Sequence, residues 1–165
     1  VEAVGQEGMH VVEHILLRPR VDGDPTLRAC VDPTCGDCGG LDPYSYRLHV
    51  ILPAYAGRFV DMDFRRFVEE TIRGETPAHL LLKICWISRD DMARFEAAYR
   101  DWLQVAASAA APEDRAPTLR RLFDALYEVK NVYPPTALGE CGVGDETSQF
   151  ILGRSALGSG VTEDQ

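Results

Sequence analysis

The stretch LLLKICWISRDDMARFEAAYRDWL, residues 80–103, decides the fold class because it joins a buried strand to an amphipathic helix. Residues 80–87 are apolar almost without interruption, which is typical of a strand covered on both faces of its sheet. Ser88 and Asp91 predict the start of a helix, since the serine hydroxyl can accept a hydrogen bond from an amide of the first turn. Apolar side chains then follow at helical spacing: Met92, Phe95, Tyr99, Trp102 and Leu103.

A second strand is predicted upstream at residues 44–53, YSYRLHVILP, because its side chains alternate between two faces. One face carries Leu48, Val50 and Leu52, and the other carries Arg47, His49 and Ile51. Asp61 or Asp63 can cap the next helix, and Gly74 is a natural end for it. Its apolar positions follow helical spacing, so we expect it to lie on the sheet: Phe64, Phe67, Val68 and Ile72.

Two further elements are predicted at the ends of this block. Residues 10–18, HVVEHILLR, form a short helix or a strand, with a spacing that fits a helix slightly better, and Pro19 ends either element. Thr118 can cap a third helix, with Pro112 and Pro117 in the gap before it. The apolar stripe of that helix is Leu119, Leu122, Phe123 and Leu126.

The order of elements predicts an α+β fold, with a small sheet, two or three packed helices and a long cysteine-containing loop at residues 20–43. We assign residues 1–135 to this single domain and residues 136–165 to an extended, Gly-rich, acidic tail. The tail has one apolar island, suited to docking as an extended segment or to pairing with a partner: Phe150, Ile151 and Leu152.

Composition restricts the function further. The chain has 165 residues, about the length of one domain, with 17 Lys and Arg against 26 Asp and Glu. The resulting net charge of −9 repels phosphate backbones and anionic lipid, so we expect neither a nucleic-acid partner nor membrane insertion. No signal peptide is visible, and we expect assembly in the cytoplasm.

Three cysteines, Cys30, Cys35 and Cys38, form the sharpest local motif, C-x4-C-x2-C, in a loop rich in Asp, Gly and Pro. Such a loop lets thiolates converge on Zn²⁺ in tetrahedral geometry, so we predict a structural zinc site. The preferred fourth ligand is Cys141, which has a similar loop-like setting. The alternatives are His14 or His10, and Cys85 is the poorest choice because it lies on a predicted core strand.

Other states of these cysteines stay open. They can be free or partly disulfide-bonded thiols, although five is an odd number for pairing. The same spacing also forms the first part of the cysteine pattern that binds the iron–sulfur cluster of plant-type ferredoxins. The next cysteines along the chain, Cys85 and Cys141, do not match that pattern and disfavour an iron–sulfur cluster.

We find no catalytic constellation in the sequence. His79 follows Glu75 and Thr76, but the favoured interpretation is a helix-to-strand turn, and an extended chain places His79 roughly 20 Å from Cys85. The charged positions of the first long helix favour a solvated or partner-facing surface: Asp61, Asp63, Arg65, Arg66, Glu69 and Glu70. A ligand pocket near His49 and His79 is a further, weaker hypothesis.

Several motifs together resemble one family: EHILLRPR at 13–20, DPYSYR at 42–47, DFRRFVE at 63–69, TPAH at 76–79, KICW at 83–86, NVYP at 131–134 and LGRSALG at 152–158. Arg58 and Phe59 add to this set. The set resembles the carboxy-terminal region of large proteins encoded with phage-tail-like contractile injection systems. The resemblance implies a baseplate or baseplate-associated building block that contacts other protein subunits of a large assembly.

Both lines of reasoning lead to the same expectation, a non-catalytic assembly domain with a structural zinc clamp on the cysteine loop. The alternative is a small metal-dependent or redox protein that uses Cys30, Cys35 and Cys38. A catalytic zinc would keep an open coordination position, whereas a structural zinc is closed by four protein ligands.

Overall fold

The computed structural model describes residues 7–27, 42–108 and 112–133, together with the backbone of two short strands at 135–136 and 156–157. The strands are β1 His10–Glu13, β2 Arg47–Pro53, β3 Leu81–Ile87, β4 Pro135–Thr136 and β5 Ala156–Leu157. The helices are α1 Met62–Glu75, α2 Arg89–Ala107 and α3 Pro112–Glu128, with 3-10 turns at His14–Leu17 and Gly57–Val60.

A three-stranded sheet in the order β1-β2-β3 organises the domain. β1 is antiparallel to β2, and β2 is parallel to β3 because α1 connects them. A separate parallel pair joins β4 to β5, with Pro135 opposite Ala156. The predicted α+β class with a small sheet and three helices is confirmed.

The sheet lies between two apolar cores, as the alternation in β2 predicts. On one face, Val50 and Leu52 pack with Phe64, Val68 and Ile72 of α1. The opposite face packs against α2 and α3, with buried members on both sides: Ile51, Cys85, Ile87, Met92, Phe95, Trp102, Leu119, Leu122, Phe123 and Leu126. Coverage of β3 is complete only in its second half, since Leu81 is 60% exposed.

The helix caps predicted for α1 and α2 are present. The Asp61 carboxylate accepts hydrogen bonds from the amides of Asp63 and Phe64 at the start of α1. The Ser88 hydroxyl accepts one from the Asp91 amide at 3.1 Å at the start of α2. Each carboxylate or hydroxyl satisfies an amide that has no partner within its helix.

Other sequence predictions are wrong in detail. Residues 10–18 form strand β1 and a 3-10 turn rather than a helix, because β2 supplies the backbone hydrogen bonds that a local pattern cannot indicate. α3 begins at Pro112 and continues through Pro117, so Thr118 lies inside the helix and does not cap it. Proline at the first helical position needs no amide hydrogen bond, which suits Pro112 to that start.

Gly74 lies inside α1, which ends one residue later at Glu75. Of the stripe predicted for α1, Phe67 faces away from the core and is 60% exposed. None of the helices in the described ranges has both the length and the apolar character that a membrane span requires.

Candidate functional site

The four predicted zinc ligands, Cys30, Cys35, Cys38 and Cys141, lie outside the described residues. Within the described ranges, no group of three or more His, Cys, Asp or Glu side chains could hold a metal ion. Cys85 is buried and carries a free thiol. The zinc hypothesis therefore stays a prediction, and the described residues bear on it through the two ends of the cysteine loop.

Those two ends are held together. The Leu27 amide donates a hydrogen bond to the Tyr44 hydroxyl at 2.8 Å, and both residues are buried. Arg18 and Asp42 form an ion pair at 3.1 Å nearby. We call these four residues the loop stem. The stem closes the segment between residues 27 and 42 at its base, which reduces the entropy cost of bringing groups within that loop together.

Asp42 organises the carboxy-terminal end of the stem. Its carboxylate accepts hydrogen bonds from the Ser45 hydroxyl and from the Tyr44 amide, the latter at 2.8 Å. These hydrogen bonds, with the charge of Arg18, lower the pKa of Asp42 to about 2. Tyr46 follows in a left-handed conformation, with φ of 58°, and leads the chain into β2.

His14 contacts this end of the loop. Its Nδ1 lies 3.1 Å from the carbonyl oxygen of Pro43. A carbonyl only accepts, so Nδ1 carries the proton and, in the neutral ring, Nε2 keeps its lone pair. Burial lowers the pKa of His14, which favours the neutral ring. Nδ1–H bonded to a backbone carbonyl is the arrangement that orients metal-ligating histidines.

His10, the other alternative ligand, is engaged elsewhere. Its Nε2 lies 3.0 Å from the Glu96 carboxylate, and the edges of its ring contact Phe95 and Tyr99. Of the two histidines, His14 is therefore the one whose Nε2 has no partner recorded among the described residues.

A buried histidine–cysteine pair lies on the face of the sheet that α2 and α3 cover. His49 Nε2 is 3.1 Å from Cys85 Sγ, and the residues are 2% and 3% exposed. Burial, together with the charge of Lys83, lowers the pKa of His49 to about 3. Burial also raises the pKa of Cys85. Both groups are therefore neutral at pH 7, and the pair does not form the thiolate and imidazolium of a cysteine nucleophile.

Sequence reasoning did not find this pair because it considered His79 as the partner of Cys85. The parallel register sets His49 opposite Lys83, two residues before Cys85 and on the same face of the sheet. His79 is exposed and contacts the ring of Tyr46 instead, with ring centroids 5.7 Å apart. His49 and His79 thus differ in environment, and neither lines the two grooves described below.

Arg65 is a second buried polar centre that the sequence interpretation missed. It is 5% exposed and donates to three backbone carbonyls, those of Phe59, Ala54 at 2.7 Å and Val132 at 2.8 Å. Its guanidinium carbon lies 5.2 Å from the ring centre of Trp86. Burial lowers the pKa of Arg65, and nearby Glu69 opposes that shift.

The charged face predicted for α1 is therefore divided. Glu69 accepts a hydrogen bond from the Trp86 indole at 2.7 Å, next to Arg65. Asp63, Arg66 and Glu70 stay on the solvent side and form weak pairs at 3.5 and 4.0 Å. The solvated interpretation is wrong for Arg65, because side chains four residues apart share one side of a helix and this side meets the sheet.

The two edges of the three-stranded sheet differ. At β3, the Trp86 amide donates to the Asn131 side chain, and the Trp86 carbonyl accepts from the Val132 amide, both at 2.8 Å. At β1, the described part of the chain contributes no strand to the outer edge. Val11 on β1 and Ile15 and Leu16 in the next turn are 39%, 42% and 47% exposed.

Two surface grooves lie among the described residues. The first, about 350 Å³, runs between α2 and α3 and has charged walls, including Asp124 and Glu128. The second, about 360 Å³, lies between residues 7–9 and α1, and we call it the α1 groove. Its lining is mainly apolar: Met9, Leu52, Phe59, Phe64, Phe67, Val68 and Ile72.

Comparison of the chain with known protein families found no matching family model, and comparison with curated proteins found no match. The proposals below therefore rest on the residues of the chain and on the motifs quoted above.

Proposed function

We propose that this chain is a non-catalytic assembly domain of a phage-tail-like contractile injection particle, associated with the baseplate. The particle is inferred from the resemblance of the motifs between residues 13 and 158. The docking role is inferred from the difference between the two edges of the sheet. The partners are other protein subunits of the same assembly.

The outer edge of β1 is the surface that supports docking. An unpaired strand offers amides and carbonyls on which another chain can add a strand, and natural proteins normally protect such edges. The β3 edge has that protection from Asn131 and Val132. At the β1 edge, no strand of the described ranges pairs on the outer side, and Val11 and Leu16 add exposed apolar area there. A partner strand can use both features.

A matched pair of substitutions tests this docking surface. Leu16 at the β1 edge and Leu103 on α2 are 47% and 44% exposed, so aspartate at either site should leave the fold intact. The polypeptide that carries this sequence is expressed in its source cells as Leu16→Asp or as Leu103→Asp, and particles are isolated by sedimentation. We expect at least a tenfold loss of the Leu16→Asp chain from the particle fraction. Equal incorporation of both variants would contradict the proposed edge.

The cysteine loop forms a structural zinc clamp in this proposal, held by Cys30, Cys35, Cys38 and one further ligand. A zinc ion closed by four protein ligands would fix the loop conformation without providing a reactive site. The loop stem supports the clamp because it holds the two ends of the loop together. Cys141 is the ligand preferred from sequence. His14 is the alternative, since its Nε2 has no hydrogen-bond partner among the described residues.

Elemental analysis and the absorption spectrum of protein purified without added metal test the clamp. We expect one zinc per chain and no visible absorption, with the metal lost in Cys35→Ser. Loss in Cys141→Ser or in His14→Gln, but not in both, identifies the fourth ligand. Iron with charge-transfer bands would instead support the redox alternative. Protein that contains no metal, or that is unaffected by a chelator, would rule out the clamp.

A further inference from the structure

We infer that the α1 groove is the docking site of the tail side chains Phe150, Ile151 and Leu152 of the same chain. These three residues lie outside the described residues, and the groove consists entirely of described ones. This docking is independent of whether the domain belongs to an injection particle.

The α1 groove exposes apolar side chains that another segment could cover. In the part of the chain that the structure describes, α2 and α3 cover one face of the sheet, and α1 is the one α-helix on the other. Met9 and Phe67 consequently stand 58% and 60% exposed on opposite walls. Exposed apolar surface of this kind marks sites where another segment binds.

The wall formed by residues 7–9 has a fixed position, so the groove is preformed. Glu7 binds Arg58 through both carboxylate oxygens, with 2.6 Å between Arg58 Nη2 and Glu7 Oε2. The Arg58 amide also donates to Glu7, at 2.7 Å. Arg58 in turn stacks over the Phe64 ring at 4.5 Å, which connects this wall to α1.

Val132, close to the end of the fully described chain, lies next to this groove. Arg65 binds the carbonyl of Val132 and the carbonyl of Phe59 with the same guanidinium, and Phe59 lines the groove. Two carbonyls on one guanidinium are only a few ångströms apart. Val132 is therefore adjacent to one end of the groove.

The pairing of β4 with β5 limits how far the apolar island can lie from Val132. Pro135 is three residues beyond Val132, and it pairs with Ala156, which is four residues beyond Leu152. With about 3.3 Å per extended residue and about 4.8 Å between strands, Leu152 lies within about 28 Å of Val132. The apolar island therefore stays within reach of the part of the groove lined by Phe59, which is next to Val132.

The composition of the tail indicates which of its segments could fill the α1 groove. Between residues 137 and 165 the sequence is mostly Gly, acidic and small polar residues. Phe150, Ile151 and Leu152 are its one run of three large apolar side chains. They match a groove whose lining is mainly aliphatic and aromatic, with Glu7 and Arg58 at one wall.

Photo-crosslinking from within the groove in the full chain tests this inference. Phe67 is replaced by p-benzoylphenylalanine, an aromatic photo-crosslinker that suits an exposed position. The same probe at Leu103, on α2, is the control. Products are separated by mass and the crosslinked peptides are identified by mass spectrometry. Ile151→Asp is combined with the probe to disrupt docking, and Val161→Asp is its control elsewhere in the tail.

We expect products of monomer mass in which position 67 is joined to the peptide with Phe150, Ile151 and Leu152. Ile151→Asp should reduce their yield at least fivefold, whereas Val161→Asp should not. Products of dimer mass would assign the groove to a second copy and overturn same-chain docking. Crosslinks to any other segment, or no crosslinks from position 67, would overturn the inference as well.

Discussion

Replacement of Arg65 by methionine should cause the largest loss of stability among single changes on α1. Arg65 is 5% exposed, and its guanidinium binds the carbonyls of Phe59, Ala54 and Val132. Methionine has a similar length but no donor, so three acceptors lose a charged partner. One hydrogen bond from a charged group contributes about 1.5–3 kcal/mol, and a buried carbonyl left without its partner costs about 1–3 kcal/mol. We therefore expect a loss of about 3–5 kcal/mol.

Urea denaturation followed by circular dichroism measures this loss, with Arg66→Met as the matched control. Arg66 is the next residue, but its side chain is 59% exposed and its ion pairs are weak. Its substitution should change the free energy of unfolding by less than about 0.5 kcal/mol. Arg65→Lys keeps the charge without the planar fork, so its loss should be intermediate. Equal effects of Arg65→Met and Arg66→Met would refute the reasoning.

Three other perturbations have specific expected results. Cys85 has a raised pKa and is 3% exposed, so iodoacetamide should alkylate it only when the protein unfolds. Rapid alkylation of Cys85 in the native protein would contradict the neutral pair. The pKa of Asp42 is lowered from 3.8 to about 2, so its contribution is complete above pH 4 and is lost as the pH falls toward 2. Asp42→Asn should flatten the dependence of the urea midpoint on pH in that range, and an unchanged profile would argue against the Asp42 contacts. Asp61→Ala should cost about 1 kcal/mol through loss of the α1 cap, whereas Asp61→Asn should keep most of it; equal losses would show that the cap contributes little.

The spacing of apolar residues predicts the central helices and strands of this fold, because each of these elements buries one or both of its faces. The stripe with Leu119 and Leu122 is fully buried, and β2 divides its side chains between two cores as the alternation indicates. The first element is different. Only Val12 and Leu17 are buried between residues 10 and 18, and the backbone of β1 is fixed by a strand far along the chain.

The polar centres are harder to predict than the elements, since each depends on contacts between distant segments. His49 and Cys85 are 36 residues apart and meet only through the register of two parallel strands. Arg65 occurs among charged residues on α1. Its contacts with the carbonyls of Ala54, Phe59 and Val132, the last of them 67 residues further on, distinguish it from Arg66. The one sequence feature that could have indicated a buried arginine is Trp86, an aromatic residue near the end of a predicted strand that can pack against a guanidinium.

Immunogold electron microscopy is the most direct test of the central proposal, that this chain is an assembly domain of a contractile injection particle. A tag is placed on the polypeptide that carries the sequence, and particles are isolated from the source cells and labelled. The proposal predicts gold at one end of intact particles, where the baseplate lies. Particles without gold, while the tagged chain is recovered in the fraction that does not sediment, would contradict it.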